Sequence, residues 1–106
     1  MTKYIAKGMV VGNCWGGGVI GYAAETIIAK QLPALKRNIA KRLNDGTLDA
    51  GMGYESLIGA IMEITKSHIV IKNGKEYTHK ESWIETFGKF GGAEQEWLDT
   101  FYNIEN

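Results

Sequence analysis

The chain is poor in the residues that most readily declare a chemistry. It holds one cysteine, Cys14, and two histidines, His68 and His79, among 106 residues. A single cysteine excludes an internal disulfide, so a reduced, cytoplasmic setting is expected. A single proline, Pro33, excludes a proline-rich linker or recognition tract. No apolar run approaches the roughly 20 residues that a membrane-spanning helix requires. The first residues, Met1 to Lys7, show neither an apolar core nor a small-residue cleavage site, so no secretory signal is expected. A net charge of zero lacks the strongly basic balance of most nucleic-acid binders.

What is present reads as one globular domain over residues 1–106. The apolar fraction of 44% and charged fraction of 23% are those of a folded protein, not a disordered one. Glycine, with 14 residues, is about twice as frequent as usual, which implies tight turns and close backbone approaches. The neutral total also hides a division. Residues 1–44 carry a net charge of +6 and residues 45–106 a net charge of −6, although folding can interleave the halves.

Residues 3–11 and 19–29 read as two strands joined by the loop Gly12 to Gly18, hence a hairpin. Gly8 and Gly21 inside them suggest bulges or close packing against another backbone. Leu32, Leu35, Ile39 and Leu43 make one apolar stripe and predict a helix over 33–44, with Pro33 in its first turn and Gly46 as its C-terminal cap. Tyr54, Leu57, Ile58, Ile61 and Met62 predict a second helix over 54–63. The β-branched run Ile69-Val70-Ile71, followed by Asn73-Gly74 and Glu76-Tyr77-Thr78, predicts a second hairpin with a type I′ turn. Its register sets Lys72 against Lys75, Val70 against Tyr77 and His68 against His79. Residues 82–90 fit either a strand or a short helix. Trp97, Leu98 and Phe101 predict a last helix over 93–103, with Glu94 and Glu96 in the first turn. The expected fold is α+β: two β-hairpins forming an antiparallel sheet, with about three helices packed on one side of it.

Among candidate sites, the loop Trp15-Gly16-Gly17-Gly18 is the most distinctive. Successive glycines let backbone N–H groups approach a phosphate or a partner, and Trp15 could stack on a base. No Gly-Lys-Ser/Thr motif follows, so a P-loop is excluded, and a simple hairpin loop is the plain alternative. The helix face bearing Lys30, Lys36, Arg37, Lys41 and Arg42 suits an acidic protein surface or a phosphate backbone, or is merely solvated. The acidic helix with Glu94, Glu96, Asp99 and Glu105 reads first as a solvated amphipathic helix. Cys14 has only His68 and His79 as conceivable bases, and no motif joins them. Those two histidines could begin a zinc site, but no third ligand has the right spacing. Asp45-Gly46-Thr47-Leu48-Asp49 lacks the ligand series of a calcium loop. No catalytic set, metal site or cofactor is therefore expected.

Three stretches taken together, Trp15 to Gly18 with Ala23 to Thr26, Asp45 to Glu55, and Lys72 to Thr78, resemble small accessory proteins encoded by phages and prophages of Gram-positive bacteria. Some such proteins are inhibitors of host defence, including anti-CRISPR proteins. The resemblance implies a non-enzymatic binding protein that inhibits a host protein, itself conceivably nucleic-acid-binding, in the host cytoplasm. Trp15, Gly16, Gly17, Gly18, Tyr22, Lys36, Arg37, Lys41 and Arg42 are the residues expected to contact that partner. The alternative is a sponge for a cyclic nucleotide at a subunit interface, with glycine N–H groups on phosphate and Trp15 or Tyr22 on the base. A small core of this kind also makes homodimerisation through a sheet edge or a helix an expectation.

Overall fold

A computed structural model describes residues 2–13, 16–49, 56–90 and 92–105, with residues 104 and 105 described by backbone alone. The chain runs β1 (Thr2–Asn13), β2 (Val19–Ala23), β3 (Ile27–Ala29), α1 (Leu32–Asp45), β4 (Ser56–Lys72), β5 (Lys75–Gly88) and α2 (Glu94–Glu105). The fold is α+β. All five strands join one antiparallel sheet in the order β2-β1-β4-β5, with β3 paired to β1 beyond the end of β2.

The central event is the pairing of β1 with β4, from Thr2 opposite His68 to Asn13 opposite Ser56, with one register shift between Val11 and Gly12. Successive side chains of a strand point to opposite faces, and here both faces are covered. On one, Ala6, Val10, Ala60, Met62 and Ile64 receive Leu35 and Ile39 of α1. On the other, Met9, Val11 and Ile61 receive Phe101, Trp97 and Leu98 of α2. The sheet is thus sandwiched between two helices, rather than covered on one side by about three.

The missing helix is the one expected over 54–63. Residues 56–63 open β4 instead, while Tyr54 and Glu55 lie outside the described residues. A strand buried on both faces has no polar side to alternate with, so its apolar residues lose their two-residue period. Leu57, Ile58, Ile61 and Met62 then mimic helical spacing. Of residues 82–90, ambiguous between strand and helix, 82–88 belong to β5 and 89–90 follow it outside any element.

Residues 19–29, expected as one strand, divide instead into β2 and β3 around Ala24 to Thr26, and each pairs with a different part of β1. The turn and cap signals hold. Gly46 takes φ 76° after α1; its N–H donates to the Leu43 carbonyl and that of Thr47 to the Arg42 carbonyl, which together satisfy the orphan carbonyls of the last turn. Asn73 (φ 53°) and Gly74 (φ 76°) form the tight turn between β4 and β5, and Lys72, Val70 and His68 face Lys75, Tyr77 and His79. The expected close approach at Gly8 is also present. A β-carbon there would press on the Ile61 carbonyl and lie 2.8 Å from the Met62 Cα.

Because those obstacles are backbone atoms of the central strand, Gly8→Ala forces the β1–β4 pair apart. Chemical denaturation should show a loss of about 1–3 kcal/mol; unchanged stability would contradict the close approach.

Candidate functional site

The residues singled out in the sequence do not converge. Gly16, Gly17 and Gly18 are exposed in the turn between β1 and β2, with Gly17 and Gly18 at φ 88° and 92°, so the loop presents backbone to solvent. Trp15 and Cys14 lie outside the described residues. Tyr22 is 47% exposed on β2, opposite Val10.

Two of the four cations named on α1 serve the fold. Lys36 Nζ lies 2.9 Å from Glu85 Oε1 on β5. Arg42 Nη2 donates to the Thr47 carbonyl oxygen at 2.8 Å and reinforces the helix terminus. Arg37 and Lys41, one turn apart, remain exposed. The Lys36–Glu85 pair also joins the positive first part of the chain to the negative second part. β1 and α1 of the first part also pack against β4 and β5 of the second, so the two parts interleave in the fold.

A feature not singled out from the sequence is the most exposed apolar one. β1 ends its pairing at Thr2 opposite His68, but β4 and β5 continue as a two-stranded arm to the Asn73-Gly74 turn. Every residue from Ile69 to Ser82 is exposed. Ile71 is 71% exposed and Tyr77 53%, with Ile69 and Val70 also among the large exposed apolar side chains. Alternation divides them. Ile69 and Ile71 stand on the face that α2 covers further down, and Val70 stands beside Tyr77 on the face of α1. The signal for this was available: three consecutive apolar residues just before a tight turn must project to both faces.

At the base of the arm the His68 and His79 rings face each other with centroids 5.0 Å apart, as the hairpin register requires. His79 Nε2 lies 3.4 Å from Glu81 Oε1, and His68 Nδ1 is buried without a hydrogen-bond partner. Among the described residues no group of three or more His, Cys, Asp or Glu side chains is arranged to hold a metal ion. Nor is any described helix long and apolar enough to cross a membrane.

The opposite end of the sheet carries an open groove of about 720 Å³ between the end of α1 and the start of β4. Leu43, Leu57 and Phe87 supply its apolar wall, with Asp45 and Lys89 of opposite sign at its polar side. The α1 terminus it adjoins is the negative end of the helix dipole, which disfavours phosphate. The anion contacts required of a cyclic-nucleotide sponge would thus oppose that dipole here.

Burial tends to raise the Glu85 carboxyl, but the Trp83 indole N–H at 2.9 Å and the Lys36 ammonium outweigh it and hold the group below its usual range. A depressed carboxylate adds stability above its unfolded-state pKa and loses it as pH falls through the folded value. Thermal unfolding followed from neutral pH down through the carboxylate range should show a steeper loss in the wild type than in Glu85→Gln. The difference at neutral pH should be below about 1 kcal/mol, as befits a partly exposed pair; parallel acid limbs would refute the assignment.

No family model, no curated protein and no solved structure matches this chain.

Proposed function

We propose that the protein is a non-enzymatic binding protein that occupies the surface of a partner protein, with the β4–β5 arm as its principal contact. The observation that carries the reading is the exposure of Ile69, Val70, Ile71 and Tyr77 at the arm's end. Apolar side chains exposed in this way on both faces of one arm, among Lys72, Lys75, Glu76 and Lys80, are typical of contact surfaces. An exposed tyrosine such as Tyr77, beside Val70, is a frequent energetic anchor.

The narrower form, a phage-encoded inhibitor of a host defence protein, draws its support from the resemblance carried by the three sequence stretches. The Gly16-Gly17-Gly18 turn and Tyr22, with Arg37 and Lys41 of α1, are secondary contact candidates because they too are exposed.

Affinity capture from a bacterial host lysate with the wild-type chain should recover a stoichiometric partner. A Tyr77→Ala, Ile71→Ser variant should lose that partner at least tenfold, while its circular dichroism and thermal transition stay those of the wild type. Equal recovery by both chains would remove the arm from the contact, and recovery of no stoichiometric partner would count against the binding function itself. A Trp15→Ala chain run in parallel reports whether the glycine loop contributes.

A further inference from the structure

β5 is the outer edge of the sheet, and its residues from Lys75 to Ser82 are exposed. The outward hydrogen-bonding groups follow from the turn. A two-residue hairpin closes on a pair that exchanges both of its hydrogen bonds, here Lys72 with Lys75. Lys75, Tyr77, His79 and Glu81 therefore direct their N–H and C=O groups toward β4. Glu76, Thr78, Lys80 and Ser82 direct theirs away from it, onto open space. Such an edge templates pairing with another strand unless something restricts it.

The charges along this edge have a symmetry of their own. Read from Lys75 to Glu81 they run positive, negative, then Tyr77, Thr78 and His79, then positive, negative. Reversed and laid antiparallel to itself about Thr78, the segment sets Lys75 against Glu81 and Glu76 against Lys80, twice each by symmetry. We propose that two copies of the chain pair along β5 in this register, with a two-fold axis at Thr78, to form a four-stranded ribbon.

Other registers are worse on physical grounds. An axis between two residues would bring outward-facing groups against inward-facing ones and break the ladder. An axis on Tyr77 or His79 keeps the ladder but leaves no opposite charges paired within the segment. An axis on Glu76 or Lys80 sets that residue directly against itself, and like charges opposed across strands are destabilising. The axis on Thr78 alone satisfies both the backbone and every charged residue from Lys75 to Glu81. In that register Thr78 exchanges backbone bonds with the partner's Thr78, and Tyr77 lies beside the partner's His79.

The pairing consumes the edge and not the faces. Ile69 and Ile71 on one side, and Val70 with Tyr77 on the other, stay open, and the ribbon brings two sets of them together. This inference is independent of the proposed partner contact.

Sedimentation velocity from low micromolar to hundreds of micromolar, in low salt, should show a monomer–dimer equilibrium weakened by added salt. Lys75→Glu alone and Glu81→Lys alone should each raise the dissociation constant about tenfold or more. The Lys75→Glu/Glu81→Lys double variant, in which both charges are exchanged, should restore it to within about threefold of the wild type. Thr78→Pro removes an outward N–H while leaving the β4 bonds intact, and should give a folded monomer, verified by circular dichroism. A chain that stays monomeric throughout overturns the proposal. So does a dimer indifferent to these substitutions, or a double variant no tighter than the single ones.

Discussion

The structure depends on one mismatch of length. β1 offers 12 residues to β4, which has 17, and the two helices cover only the part of the sheet where β1 is present. Over that part, Ala6, Val10, Ala60, Met62 and Ile64 are buried against one helix and Met9, Val11 and Ile61 against the other. Past Thr2 no third strand and no helix lies against the β4–β5 hairpin among the described residues. At about 3.3 Å per residue, 17 residues of strand extend about 56 Å, close to the 58 Å longest dimension of the molecule. β4 thus sets the length of the protein. Its first half is core and its last part is surface.

That division explains which parts of the fold were legible in the sequence. Where one side of an element faces water, the pattern survives: the stripe of Leu35 and Ile39, the Trp97-Leu98-Phe101 face and the Asn73-Gly74 turn all read correctly. Where burial is two-sided, the pattern disappears. Residues 57–62 lie between α1 and α2, and no polar residue marks the strand period there. Local propensity is then silent, and helical spacing arises by coincidence. Residues 82–90 are ambiguous for a related reason: half-buried Trp83 and Phe87 pack toward α1 and Ile84 toward α2, so apolar side chains point to both faces without a clean strand period. The helices' placement on opposite faces was not legible either, because it depends on β1 and β4 lying side by side in the middle of the sheet.

The candidate site was legible to a lesser degree, for a different reason. Lys36 and Arg42 look like their neighbours Arg37 and Lys41 in the sequence, since all four are cations on one helix. What distinguishes them is tertiary: Glu85 arrives from β5 and the Thr47 carbonyl turns back at the helix end. Exposed apolar residues raise the converse difficulty. Ile69-Val70-Ile71 has the composition of a buried strand, and its exposure shows only in the fold, where β1 pairing stops at Thr2 and no described residue covers it. Binding surfaces composed of core-like residues are hard to see in a sequence, because exposure is a property of what fails to pack on them.

An uncovered, β-branched two-stranded arm is an aggregation hazard, and the charges along β5 bear directly on it. Charged side chains on an edge strand usually suppress pairing altogether. A random placement of two cations and two anions would do so by setting like charges together in most registers. The order Lys75, Glu76, Lys80, Glu81 does this in some registers, leaves others without charge compensation, and favours the one centred on Thr78. Protection and selectivity are then the same feature. The edge stays closed to indiscriminate strand addition because its charges match one sequence in one direction, and the chain itself supplies that sequence. The apolar side chains on the faces of the arm are left as the surface on which a different partner can be recognised.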